Sequence, residues 1–125
     1  MTAGLPPAAR LRSIADFHGL RRPSGRASVR CFALRWSEST TGHSRLGMAV
    51  SRKVSTRAVV RNRIKRVVRE SFRQRRVRLP ALDLLVIAQT AAATTENADL
   101  RDDLERAWRR VQALKPPAAP GTIAD

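Results

Sequence analysis

The chain has 125 residues, 42% of them hydrophobic, which suits one domain with a modest core and excludes wholesale disorder. Its one cysteine excludes a disulfide within the chain, one Cys with two His forms no recognisable zinc site, and no apolar run approaches the ~18 residues of a transmembrane helix. A formal net charge of +15 indicates a polyanionic partner, either nucleic acid or an anionic membrane surface.

The N-terminal region predicts a tail followed by a short helix. Residues 1–8 contain two prolines and are expected to form a flexible tail. Apolar side chains at helical spacing then predict a helix near residues 9–18, which Gly19 would end. The N-terminus lacks the basic-then-apolar order of a signal peptide, so we expect a cytoplasmic protein.

Alternating side chains predict strands in the next part of the chain. Residues 28–36 place Phe32, Leu34 and Trp36 on one face, and a further short strand near 25–27 is left open. A second strand is predicted over residues 46–51 after a polar turn. We expect these two strands to pair as a hairpin.

The C-terminal half predicts two helices around a strand. A basic helix is expected over residues 56–76, and the apolar run 82–88 is typical of a strand buried on both faces. A loop over 90–97 leads to a helix marked by apolar residues from Leu100 to Leu114. A disordered, proline-rich tail follows at 115–125. The predicted order is α-β-β-(β)-α-β-α, an α+β single-domain sandwich over residues 9–114.

The charge is concentrated on the basic helix and its surroundings. Residues 1–78 carry 20 basic and 3 acidic residues, a net +17, whereas residues 79–125 carry 5 and 7, a net −2. At about 100° per residue, the helix separates into a buried stripe and a cationic face. The stripe holds Val60, Ile64, Val67, Val68 and Ser71, and the face holds Arg61, Asn62, Lys65, Arg66, Arg69, Arg73 and Arg76.

Two residues of this helix lie off the cationic face. The wheel puts Arg63 and Glu70 on the far flank, so Arg63 should either reach a different partner or lie along the flank of the helix. Like charges at i,i+4 destabilise a helix by ~0.2–0.5 kcal/mol per pair, which a bound anion would relieve. A solvated charged face is the simpler alternative, but the one-sided charge favours nucleic-acid binding. A helix lying on a membrane would need a wider apolar face.

The basic run resembles the signature helix of the protein subunit of bacterial ribonuclease P. Residues 61–70 (RNRIKRVVRE) match its "RNR" helix without a gap, and residues 45–54 (RLGMAVSRKV) are similar to the strand that precedes it. The similarity continues through 70–73, 79–83 and 104–110, covering roughly residues 9–113. A non-enzymatic, ribosomal-type RNA-binding protein is the alternative, and the RNR run in its strand–helix context is the feature that separates the two.

This resemblance implies a function and a topology. The family's protein pairs with a catalytic RNA that removes the 5′ leader of precursor tRNA, and it helps to position that substrate and broadens substrate specificity. The RNA carries out hydrolysis with Mg²⁺, so we expect no catalytic residue, no metal and no cofactor on the protein itself. The family fold is an α/β sandwich with a left-handed βαβ crossover, against the usual preference.

The resemblance also implies two sets of site residues. The leader cleft would lie between the first helix and the sheet, where Arg21 and Arg35 stand at positions that the family often gives to aromatics. Base stacking should therefore be weaker here, with guanidinium or phosphate contacts in its place. The cleft set is Phe17, Arg21, Ala33 and Arg35, and the RNA-binding helix set is Arg61, Asn62, Arg63, Lys65, Arg66, Arg69 and Arg73.

Overall fold

The computed structural model describes residues 9–11, 23–39 and 41–114. The two predicted tails, most of the predicted first helix with Phe17, and Arg21 beyond it lie outside these ranges. The bridge between Arg10 and Leu46, with a 2.9 Å hydrogen bond from the Leu11 amide to the Leu46 carbonyl, joins residues 9–11 to the sheet.

Four strands form one mixed sheet. They are β1 (Gly25–Ser28), β2 (Phe32–Glu38), β3 (Arg45–Ala49) and β4 (Leu82–Ala88), in the spatial order β1-β2-β4-β3. β2 is antiparallel to both β1 and β4, whereas β3 is parallel to β4. The short strand left open in the sequence is therefore present as β1, and it forms the hairpin with β2.

The expected hairpin between β2 and β3 is wrong. β4 lies between them and pairs with both, although it follows β3 by more than 30 residues. The reason is burial: β4 is the most apolar strand, so its central place removes both of its edges and most of its side chains from water. The sequence predicted that β4 is buried on both faces. The face that points to the helices is fully buried, whereas Leu85 and Ile87 on the other face are only partly buried.

Two long helices cover one face of the sheet. They are α1 (Ala58–Arg75), which ends in a 3-10 turn over Arg76–Arg78, and α2 (Asn97–Leu114), which follows a 3-10 turn over Thr90–Thr94. α1 connects the parallel neighbours β3 and β4, which is the βαβ unit implied by the resemblance. The left hand of this crossover stays a prediction.

The core lies between this sheet face and the helices. β2 contributes Phe32, Leu34 and Trp36, and their cross-strand partners on β4 are Ala88, Val86 and Leu84. The largest fully buried side chain is Trp108 of α2, whose ring meets Phe72 of α1 edge to face at 6.0 Å between centroids. The indole N–H of Trp108 donates to Ser71 Oγ at 2.8 Å, which satisfies the one polar group it brings into the core.

Gly25 of β1 packs directly on the buried indole of Trp36, and a Cβ at this position would overlap the ring. We expect Gly25→Ala to lower the free energy of unfolding by about 1–3 kcal/mol, because the added methyl group would force the buried Trp36 ring to shift within the core. Urea unfolding followed by circular dichroism measures this. Ser28→Ala, at an exposed position of the same strand, is the control and should leave stability unchanged. An unchanged stability for Gly25→Ala would contradict the packing.

Candidate nucleic-acid interface

α1 is docked by an apolar stripe at helical spacing. Its buried residues recur at i, i+3, i+4, i+7 and i+8, and Val60 at the start of the helix is only partly buried. Four of the five residues predicted for the buried stripe are buried, and Phe72, which the sequence prediction did not include, is buried with them. This packing sets the rotation of the helix, so its opposite face must point to solvent. The buried residues are Ile64, Val67, Val68, Ser71 and Phe72.

The solvent face of α1 carries cations without protein partners. Asn62 and Arg66 are exposed, while Lys65 and Arg69 are partly exposed. Among the described residues, Lys65, Arg66 and Arg69 form no side-chain hydrogen bond or ion pair. Four other arginines of the chain each form an ion pair with an Asp or Glu side chain. Ion pairs between arginine and carboxylate side chains thus form elsewhere in the protein, but these three cations have none in the described part of the chain. The charges on this face are therefore free for an external anion.

The loop before α1 extends the cationic face. Arg52, Lys53 and Arg57 are exposed there. The loop is held by its own hydrogen bonds, because Ser55 Oγ accepts from the Arg57 amide at 3.1 Å and the Ser55 carbonyl accepts from Arg61 Nη1 at 3.0 Å. These three cations lie outside the RNA-binding set predicted from the sequence. Their closeness in sequence to the start of the helix was the signal available.

Arg63 is bound within the protein. Its Nη1 donates to the Thr95 carbonyl at 3.2 Å and to Asn97 Oδ1 at 2.7 Å, and its Nη2 donates to the Ala93 carbonyl at 3.3 Å. These acceptors lie just before and at the start of α2. The different partner predicted from the helical wheel is thus the segment that leads into α2. The hydrogen bonds of Arg63 link α1 to this segment.

Arg73 is also engaged, in this case by the single acid of α1. Its guanidinium pairs with Glu70 one turn earlier, at 2.7 Å between Nη2 and Oε2. Hydrogen bonding and then charge attraction from Arg73 lower the pKa of Glu70 below its usual value. The pair therefore contributes at neutral pH and is lost as the pH falls through this lowered pKa. Arg73 is consequently a weaker candidate for anion contact than Lys65 or Arg69.

The strand wall of the predicted leader cleft lies on the opposite face of the sheet. Ala33 and Arg35 of β2 point away from the buried Leu34, and Arg35 is exposed. Arg26 of β1 is the direct cross-strand partner of Arg35. Phe17 and Arg21 lie outside the described residues, so the cleft is described from its strand side alone.

Several acidic side chains outside α1 bind groups of the same chain. Asp83 pairs with Arg45 at 2.8 Å, and Glu105 pairs with Arg75 at 2.6 Å. The buried Asp103 accepts a 2.8 Å hydrogen bond from the Cys31 amide. Within the described ranges, no three His, Cys, Asp or Glu side chains are grouped as metal ligands, and neither long helix has the apolar length needed to cross a bilayer.

Comparison with known proteins gives consistent matches along nearly the whole chain. The sequence profile of the Ribonuclease P family matches residues 5–112. The ribonuclease P protein component of Xanthomonas campestris pv. campestris (strain B100) is 45% identical over 118 residues, which is 94% of this chain and 79% of that protein. The component from Salmonella arizonae is 40% identical over 105 residues, 84% of this chain and 88% of that one.

Solved structures agree in fold. The RNase P protein from Staphylococcus aureus superposes with a TM-score of 0.74 at 30% identity, covering 86% of this chain and 92% of that one. The RNase P protein from Thermotoga maritima gives a TM-score of 0.72 at 28% identity, covering 82% and 96%.

Proposed function

This chain belongs to the ribonuclease P protein family, and we propose that it binds the catalytic RNA of that ribonucleoprotein and the 5′ leader of precursor tRNA. Membership makes it a subunit of a tRNA-processing endoribonuclease. In our proposal, the α1 face binds the catalytic RNA and the β2 wall contacts the leader. The subunit thereby aids removal of the leader and broadens the range of substrates.

The observation that carries the proposal is a row of cations on the packed helix α1 that have no partner among the described residues. Lys65 and Arg69 are four residues apart, so they lie one above the other on the same face, with Arg66 beside them. The phosphates of a folded RNA are anions held at fixed spacing. A rigid helix already holds its cations in place, so binding these phosphates costs little conformational entropy. Asn62, exposed within this face, can both donate to and accept from a ribose hydroxyl.

We assign bond cleavage to the RNA and its Mg²⁺. This assignment is supported by four of the protein's ten acids, since Glu70, Asp83, Asp103 and Glu105 each bind an arginine of the same chain. Carboxylates held in this way are poorly placed to act as metal ligands or as a general base. The protein would instead neutralise phosphate charge, which reduces the magnesium needed to fold and hold the two RNAs together.

The test is leader removal from precursor tRNA at low Mg²⁺. The catalytic RNA is measured alone, the protein alone, and the two together. We expect slow cleavage by the RNA alone, fast cleavage by the mixture and none by the protein alone. Specific cleavage by the protein alone would overturn the assignment of catalysis to the RNA, and a rate unchanged by the protein would overturn its role as a subunit that assists cleavage.

A further inference from the structure

A second basic surface lies at the other side of the molecule, where α2 runs beside β1. An open groove there is lined by Arg26 and Ser28 of β1, by Ala33 and Arg35 of β2, and by Arg110 of α2. Among the strands that the structure describes, β1 lies at one edge of the sheet, so its outer backbone groups face this side without a described strand beside them. The groove therefore begins at the strand wall of the leader cleft and continues across the sheet edge to α2.

The charge in this groove is of one sign. Arg26, Arg35 and Arg110 are all exposed, and no acid lines the groove. In the described structure none of the three makes a side-chain hydrogen bond or ion pair. Arg26 and Arg35 stand directly opposite each other on neighbouring strands, an arrangement that is destabilising for like charges. A bound anion would remove this repulsion.

The distribution of charge along α2 singles out the same groove. A second hollow between α2 and the β1–β2 turn, nearer the start of the helix, is lined by the acids Asp99, Asp102 and Asp103 together with Arg30 and Arg106. One to three turns further along, the helix instead presents arginines, and Arg110 is the one that lines the basic groove. Acids and arginines are thus mixed in this second hollow, whereas the groove at Arg110 is lined by arginines without acids and is the more favourable site for an extended polyanion.

The groove suits a backbone of sugar and phosphate better than it suits stacked bases. Its walls contain the small residues Ala27 and Ala33 but no aromatic side chain, and the nearby Phe32 and Trp36 are buried in the core. Guanidinium groups bind phosphate oxygens in bidentate fashion and independently of sequence. The expected ligand is therefore a single strand recognised by its phosphates.

We propose that the groove lined by Arg26, Arg35 and Arg110 binds phosphates of the precursor-tRNA leader upstream of those held in the cleft. This proposal rests on the proposed function, because the strand reaches the groove by way of Arg35. It predicts that leaders long enough to cross β1 gain affinity from Arg26 and Arg110, whereas short leaders do not.

The experiment measures binding of the assembled holoenzyme to precursor tRNAs whose leaders increase in length, at about 0.1 M monovalent salt. For Arg26→Ala/Arg110→Ala we expect unchanged affinity with short leaders and a loss of about 5- to 30-fold with long ones. Each contact to a single-strand phosphate raises the binding constant by roughly 5-fold at 0.1 M salt relative to 1 M salt, and the variant loses one or two such contacts. Thermal unfolding of each variant verifies that it is folded.

The matched control is Arg101→Ala/Arg109→Ala, which removes two exposed arginines of α2 that do not line the groove. The proposal fails if the two double variants give the same affinities at every leader length. It also fails if Arg26→Ala/Arg110→Ala weakens binding equally for all leaders, because that result would place the contact on another RNA segment. A failure of the proposed function is distinct, since the unsubstituted protein would then leave the rate of leader removal by the catalytic RNA unchanged at low Mg²⁺.

Discussion

Lys65→Ala/Arg69→Ala is expected to weaken binding of the catalytic RNA by about 25- to 60-fold at 0.1 M salt. If each side chain meets one phosphate, each contributes about 0.7–0.9 to the slope of log affinity against log salt, and the slope should fall by about 1.4–1.8 in magnitude. Both cations lack protein partners in the described structure, so no internal contact is lost with them. The measurement is a titration of labelled RNA over a series of salt concentrations.

Unfolding cannot account for this loss of affinity. Ala is the best helix former, and the double substitution removes a like-charged i,i+4 pair, so we expect stability to be unchanged or to rise by about 0.2–0.5 kcal/mol. Arg101→Ala/Arg109→Ala, which removes the same charge from the exposed side of α2, is the control for net charge. An equal fall in slope for both variants would show that the total charge, and not the α1 face, determines the affinity.

Trp108→Ala is expected to cost about 3–5 kcal/mol of unfolding free energy, a large part of the ~5–15 kcal/mol typical of a domain. The side chain is fully buried, packs edge to face on Phe72 and donates to Ser71 Oγ at 2.8 Å. Its removal leaves a cavity between α1 and α2 and takes the partner from a buried hydroxyl. Urea unfolding followed by circular dichroism measures the loss.

Two further variants separate packing from hydrogen bonding. Trp108→Phe keeps most of the buried area but leaves Ser71 Oγ without its donor, so a smaller loss of about 1–3 kcal/mol is expected. Val77→Ala changes a side chain that is 89% exposed and should leave stability unchanged. A loss below about 1 kcal/mol for Trp108→Ala would contradict the role of this contact in joining the helices. Adding the catalytic RNA should raise the stability of Trp108→Ala if the folded variant still binds it.

Much of the local structure follows from side-chain periodicity. Alternation along β2 places Phe32, Leu34 and Trp36 on the core face, where they are buried, and the apolar run that predicted β4 has the bounds Leu82–Ala88. The stripe of α1 likewise follows from 3.6-residue spacing. The pairing of β2 with β3 failed because hairpins are the local default, whereas β4 competes for both strands through its greater apolar surface.

By itself, the sequence determined which face of each element is apolar and that the cations concentrate on one helix, because both are properties of spacing within a few turns. Only the tertiary structure decided which of those cations are available to RNA. Arg63 is bound to Ala93, Thr95 and Asn97, and Arg75 to Glu105, all at least 30 residues away in sequence. Lys65, Arg66 and Arg69 meet no such partner in the part of the chain that the structure describes. Hydrogen bonds and ion pairs are short-range, so the order of the strands and the packing of α1 against α2 had to bring each partner within reach.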